Sequence, residues 1–199
     1  MSEISQLVAQ LAAEDENQRH GAFVELYRRG ADQAQAAVRN WAADADLRGL
    51  VSGPPTVGIA VHPARFAEIR TAWGEPPLAA VPAEQDAREF ALQVEFDGAL
   101  ALLDILTARD AADPGFQGER GAIARFLRKF GEGIQQVEFP CKDVARAAEI
   151  LRVRFALEPV YAEPRPGADG TRVNFFLVPV PGSGKVLVEL FERAPRSSD

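Results

Sequence analysis

An α+β fold of two βαβββ modules behind a short all-helical segment is predicted by three features of the sequence. The order strand, helix, strand, strand, strand occurs twice between residues 56 and 192. Apolar and polar residues alternate along most of the strand candidates, the period-two signature of a half-buried sheet. The break Ser52, Gly53, Pro54, Pro55 separates these from an N-terminal part whose apolar residues recur every three or four positions.

The N-terminal part reads as helical over residues 2–50. Ser2 or Ser5 can cap a first helix whose stripe is Ile4, Leu7, Val8 and Leu11. A second stripe, Ala22, Phe23, Leu26 and Tyr27, is expected to stop at Gly30, a residue suited to a helix C-terminus. A third runs through Ala34, Ala37, Val38 and Trp41. Three short amphipathic helices resemble one HEAT-type repeat unit. A lone unit cannot bury its own apolar faces, so it should dock on the rest of the chain or on a second subunit.

Module 1 spans 56–107. Thr56 to Val61 is a strand, Pro63 to Trp73 a helix and Leu78 to Val81 a short strand. Glu89 to Phe96 alternates strictly, Asp97 and Gly98 make a two-residue hairpin turn, and Ala99 to Leu106 returns. A helix over 121–130 links to module 2, which spans 133–192. There Ile134 to Phe139 is a strand, Lys142 to Phe155 a helix, Pro159 to Tyr161 a short strand, and Arg172 to Val178 and Lys185 to Glu192 the last two strands. The domain division is therefore a helical segment over 1–51, a sheet domain over 56–192 and a tail over 193–199.

Alternation also assigns faces. Val57, Ile59, Val61, Val137, Phe139, Phe90, Leu92, Val173, Phe175, Val188 and Leu190 form an apolar face that the module helices should cover. The opposite face is expected to carry Thr56, Gly58, Ala60, Glu89, Gln93, Glu95, Leu102, Asp104, Gln136, Glu138, Arg172, Asn174, Phe176, Leu187, Glu189 and Phe191. Acids, amides, an arginine and phenylalanines suit the lining of a curled, mixed-sheet cup that takes a small molecule. A solvated open sheet face is the other reading of the same pattern.

Composition narrows the partners. The chain has 199 residues, 47 % of them hydrophobic, and a formal net charge of −7. It lacks the basic patch of a nucleic-acid binder and any apolar run near the roughly 20 residues of a membrane span. Its single cysteine, Cys141, excludes an intrachain disulfide and points to a reducing, cytoplasmic setting. Gly182 to Lys185 lacks the spacing of a phosphate loop and precedes a strand, so it reads as a hairpin loop.

Four stretches carry a family resemblance: GEGIQQVEF from Gly131 to Phe139, RPGADGTRV from Arg165 to Val173, GKVLVEL from Gly184 to Leu190, and GAIARFL from Gly121 to Leu127. With the doubled βαβββ plan they resemble the vicinal oxygen chelate (glyoxalase and bleomycin-resistance) superfamily, methylmalonyl-CoA epimerase above all. The resemblance covers residues 56 to 192 and is stronger in module 2. It implies two metal ligands per module, one on the first strand and one on the last. The matching positions here are Thr56, Asp104, Gln136 and Glu189, so both acids stay and both histidines are replaced. Thr56 is a lost ligand position. Asp104, Gln136 and Glu189 could hold only a weakly bound hard divalent cation such as magnesium, calcium or manganese.

The resemblance also implies an acid in the loop after the second strand that moves a proton beside a thioester carbonyl. Residues 81–86 match that loop, making Glu84 the candidate base and Glu189 its catalytic partner. Gln93, Gln135, Arg172, Asn174 and Phe176 are the substrate-binding candidates. An isomerase or lyase acting on a small carbonyl or acyl-thioester compound follows as one expectation. A non-catalytic sequestering protein of the same fold is a second, and an interaction module working through the N-terminal helices a third. A homodimer is compatible with each, because the residues do not say whether the modules pair within one chain.

Overall fold

The computed structural model describes residues 2–193 apart from 112, 114, 115 and 183, so the expected tail beyond Arg193 lies outside the described residues. Ser2 caps α1 (Glu3–Gln10), its hydroxyl accepting from the Ser5 amide. Asp15 caps α2 (Glu16–Val38) in the same way, and Asp44 caps α3 (Ala45–Leu50). Each cap satisfies amides that have no partner inside the helix. The sheet part consists of β1 (Thr56–Ala60), α4 (Pro63–Ala72), β2 (Ala87–Phe96), β3 (Ala99–Ala108), α5 (Ala122–Phe130), β4 (Gly133–Pro140), α6 (Val144–Phe155), β5 (Arg165–Pro166), β6 (Thr171–Val180) and β7 (Gly184–Arg193).

The strands among the described residues form one seven-stranded mixed sheet in the order β2-β3-β1-β4-β7-β6-β5. In module 1, β1 runs parallel to β3, and in module 2, β4 runs parallel to β7. The antiparallel pair β1–β4 joins the two halves. The modules therefore pair within one chain, first strand against first strand. Asp97 and Gly98 both take positive φ in the β2–β3 turn, as a type I′ hairpin requires.

Module 1 departs from expectation at one element. Residues 78–81 form no strand; the Ala79 amide donates once to the Glu89 carbonyl, and Val81 folds back on Ala79. Two prolines, Pro76 and Pro77, precede the stretch and another, Pro82, follows it, and a proline nitrogen cannot donate to a ladder. In module 2, Pro159 makes only an isolated bridge to Phe176.

The N-terminal segment also departs. Gly30 does not end a helix: it sits buried in the middle of the 23-residue α2. A Cβ there would lie 2.3 Å from Val57 Cγ1, so the glycine is the place where α2 presses against β1. The segment consequently does not form the expected HEAT-type unit of three short helices. It lies on the convex face of the sheet. Val8, Leu11, Phe23 and Leu26 join Val57, Ile59, Leu103 and the α4 residues Phe66 and Ile69 in one core. Ala34, Ala37, Trp41 and Leu47 join Val137, Val188, Leu190 and the α6 residues Val144 and Leu151 in another. Trp73 Nε1 donates to the Leu11 carbonyl at 2.9 Å, tying the end of α4 to the first helix. The apolar faces that an interaction module would present are thus spent inside the chain. No helix among the described residues is long and apolar enough to cross a membrane.

Candidate functional site

The concave face encloses a cavity of about 1520 Å³. Its floor comes from the central strands. Register places Gly58 beside both Asp104 and Gln136, Thr56 beside Glu138, and Glu138 beside Glu189. Cross-strand partners share a face, so the cup positions of β1, β3, β4 and β7 converge. Gly58 makes this convergence sterically feasible: a Cβ there would lie 2.6 Å from Gln136 Cγ and 3.1 Å from Glu138 Oε1.

Gln136 organises the floor. Its Nε2 donates to Glu138 Oε1 at 2.9 Å and to Glu189 Oε2 at 2.7 Å. The Glu138 carboxyl in turn hydrogen-bonds Asp104. Glu89 on β2 faces the same space. Four carboxyl groups gathered away from water hold their protons more tightly than usual. Loss of hydration pushes Glu89 up to about 8, with the charges of Asp104 and Asp169 adding to it. It pushes Asp104 up to about 6. Glu138 and Glu189 are raised well above the ordinary carboxyl value, first by burial and then by neighbouring acids.

Gln135 reaches the same cavity because of a β-bulge. The register jumps from Gly58↔Gln136 to Ile59↔Ile134, leaving Gln135 as the extra residue of β4. Such a residue can turn to the face its parity would deny it, and both glutamines line the cup. Gln135 Oε1 is buried without a hydrogen-bond partner.

The rim is built from three loops tied together. Glu84 lies exposed in a 3-10 turn, Ala83–Gln85, and lines the cavity. The Glu84 carbonyl accepts from Gln117 Nε2 at 3.1 Å, and Gln85 Nε2 donates to the Pro166 carbonyl at 2.6 Å. The Ala80 amide donates to Asp169 Oδ1 at 2.8 Å while the Asp169 amide donates to the Ala80 carbonyl at 3.1 Å. Arg120, Arg125, Arg165 and Arg193 also line the cavity. Arg165 lies 4.0 Å over the Tyr161 ring, which packs edge-on against Phe175.

The cup thus brings together Glu84, Gln93, Asp104, Gln135, Gln136 and Glu189, with Thr56 at its margin. It does not include Arg172, Asn174 or Phe176. Along β6 the face assignment is reversed: Phe175 is level with Glu189 and Leu177 with Leu187, so the odd positions face the cup. Arg172 instead pairs with Glu192 at 2.7 Å. Asn174 is fully buried, exchanging hydrogen bonds with the Tyr161 backbone. Phe176 packs edge-on against Trp41 in the core. The physical reason is that β6 is apolar on both faces, with Val173, Phe175 and Leu177 on one and Phe176, Val178 and Val180 on the other, so alternation carries no phase.

Glu138 and Glu89 are the site residues missing from the sequence-based candidates. Their signal is present in the alternation, which puts Glu138 two residues from Gln136 and Glu89 opposite the helix-covered Phe90.

Of the expected ligand positions, Asp104, Gln136 and Glu189 line the cup; Gln136 donates its amide to two glutamates, and among the described residues no three His, Cys, Asp or Glu side chains are grouped to hold an ion.

No family model matches the sequence, and no curated protein matches it. Solved structures do. Methylmalonyl-CoA epimerase from Mycobacterium tuberculosis is 30 % identical over 74 % of this chain and 91 % of its own, with a TM-score of 0.57. A variant of the Streptomyces coelicolor methylmalonyl-CoA epimerase in complex with 2-nitronate-propionyl-CoA is 32 % identical over 72 % of this chain and 96 % of its own, with a TM-score of 0.54. A methylmalonyl-CoA epimerase bound to methylmalonyl-CoA and NH4+ is 31 % identical over the same shares, with a TM-score of 0.53.

Proposed function

Since the chain belongs to the vicinal oxygen chelate superfamily, with methylmalonyl-CoA epimerases among its relatives, we propose that it moves a proton at the carbon next to the carbonyl of an acyl thioester, inverting that carbon. The observation that carries this reading is the placement of Glu84 on the rim and Glu189 on the floor of one cavity. Two carboxyl groups that approach a bound carbon acid from different sides can act as base and acid in turn.

In this reading the Glu84 carboxylate takes the α-proton, and the electron pair moves onto the thioester oxygen as an enolate. Glu189, held protonated by its buried setting, returns a proton to the opposite face of the carbon. The reverse reaction exchanges the roles. Gln136 fixes the Glu189 carboxyl through the 2.7 Å hydrogen bond. The developing enolate needs hydrogen-bond donors fixed in advance. Gln135 and Gln93, both lining the cup, are assigned that role.

A second reading has its own support. Gln136 holds both Glu138 and Glu189 in a closed network, which suits a cup that binds a small molecule without chemistry. Polarimetry of an enantiopure α-methyl acyl-CoA separates the two. The catalytic reading expects racemisation, with Glu84→Gln and Glu189→Gln each slowing it by about 100-fold or more. Binding of the thioester without any loss of optical rotation would leave only the sequestering role.

A further inference from the structure

The turn that carries Glu84 is held largely from outside itself. Residues 76–86 form no strand, and Pro76, Pro77 and Pro82 interrupt them. The bonds within the stretch are tight turns, from the Val81 amide to Ala79, from Gln85 to Pro82 and from Asp86 to Ala83. Asp86 takes a φ of 50°, a left-handed conformation that a side chain other than glycine adopts only where its surroundings impose it. On one side the Ala79 amide donates to Glu89 on β2, while Arg109 and Gln117 donate to the Val81 and Glu84 carbonyls. On the other side the ties come from module 2. Asp169 Oδ1 accepts from the Ala80 amide at 2.8 Å, the Asp169 amide donates back at 3.1 Å, and the Pro166 carbonyl of β5 accepts from Gln85 at 2.6 Å. β2 and β5 are the two ends of the sheet. These bonds therefore clasp one end of the sheet to the other at the rim of the cup, and Glu84 sits between Ala80 and Gln85 on the clasped stretch. Asp169 itself is exposed, with a φ of 50°.

On the reading that Glu84 is the rim base, we propose that Asp169 is a positioning residue for it. Through Ala80, and together with the Gln85 bond to Pro166, it fixes from module 2 where the Glu84 turn stands. The second carboxyl of the reaction, Glu189, lies on β7 of the same module. The clasp thus refers a base carried by module 1 to the frame that holds its partner acid. Base and acid must both stay within hydrogen-bond reach of one carbon, and a small displacement of either is costly in rate. The clasp lies in solvent, so removing it loosens the turn and leaves the two cores under the sheet untouched.

The test uses two readouts on the full chain. Amide hydrogen exchange followed by mass spectrometry reports on residues 78–86, and α-proton exchange of 2-methylbutyryl-CoA in D2O gives kcat and KM. Asp169→Gly removes the acceptor and adds no strain, because glycine takes positive φ freely. It should speed amide exchange over 78–86 by about tenfold and leave the sheet strands unchanged. It should lower kcat by at least about tenfold while KM stays within about twofold. Asp169→Asn keeps the Oδ1 acceptor, tolerates the left-handed backbone and drops the charge, so it should return both readouts to within about threefold of the parent. Gln85→Ala should shift both in the same direction as Asp169→Gly. Unchanged amide exchange in Asp169→Gly, faster exchange with an unchanged kcat, a loss confined to KM, or an Asp169→Asn protein as impaired as Asp169→Gly each overturn the proposal and leave the catalytic reading standing. A parent protein with no α-proton exchange removes the catalytic reading, and the positioning role with it.

Discussion

Gly30→Ala is a sharp probe of how the N-terminal helices are joined to the sheet. In a free helix the change would help, by about 1 kcal/mol, because alanine loses less backbone entropy than glycine. Here the added methyl would lie 2.3 Å from Val57 Cγ1, 2.5 Å from Cγ2 and 2.9 Å from Cβ. Val57 is fully buried in the central strand β1, with no room to retreat. Overpacking of this kind costs about 1–3 kcal/mol, and three close contacts argue for the upper part of that range. The net loss is about 2 kcal/mol once the propensity gain is subtracted. For a chain of this length that is a fall of about 4–8 °C in the melting midpoint. Thermal and urea unfolding followed by far-UV circular dichroism give the number. Val57→Ala alone should also destabilise, because it leaves a cavity. The double variant should be less destabilised than the sum of the two by about 1–2 kcal/mol, since each change relieves the other. A Gly30→Ala protein that melts higher than the parent, or strict additivity of the pair, would refute the packing of α2 on β1.

Other outcomes follow from the same geometry. Glu89 and Asp104 titrate at about 8 and about 6 in the folded protein, above their ordinary 4.5 and 3.8. Folding thus holds protons that the unfolded chain releases, so the stability these groups contribute is complete at low pH and is lost as pH rises through about 6 and then about 8. The melting midpoint should fall between about pH 5 and pH 9, and Asp104→Asn should flatten the lower part of the fall; a rising midpoint would contradict the buried acid cluster. Gly121→Ala would put a methyl 2.0 Å from Asp86 Oδ2 at the start of α5, where Asp86 is itself buried. Urea titration should show a loss of about 1–3 kcal/mol, and an unchanged midpoint would refute that contact. Cys141 is buried, and loss of hydration pushes its thiol up to about 11. Alkylation near pH 8 should therefore be slow until denaturant is added, and rapid stoichiometric modification of the native chain would contradict this burial.

Much of the fold is written plainly in the chain. β2 and β7 bury one kind of side chain and present another, while β1 and β4 set large apolar residues on one face against small or polar ones on the other, so period-two patterning assigns both the strands and their faces. The Asp97–Gly98 turn fixes the β2–β3 register. The exceptions have separate physical causes. Tertiary contact overrode a local signal at Gly30, where the absence of a side chain serves the approach of β1 and not a helix end. Pro76, Pro77 and Pro82 removed ladder donors around residues 78–81. β6, apolar on both faces, offers no phase by which Arg172, Asn174 and Phe176 could be told from Val173, Phe175 and Leu177. At the site, Asp104, Gln136, Glu189, Glu138 and Glu89 are all legible as cup-facing strand positions, whereas the contacts among them come from the pairing of β4 with β1 and β7 and of β2 with β3. The Gln135 bulge is a register event between strands far apart in sequence.

In the proposed reaction, carboxyl groups on the rim and on the floor serve opposite sides of one carbon. Its most direct test is to incubate each enantiomer of 2-methylbutyryl-CoA in D2O with the Glu189→Gln protein and follow the α-position by NMR. The predicted result is deuterium exchange without inversion in the enantiomer whose proton faces Glu84, and no exchange in the other. Loss of exchange in both enantiomers together, or inversion that persists in the variant, would contradict it.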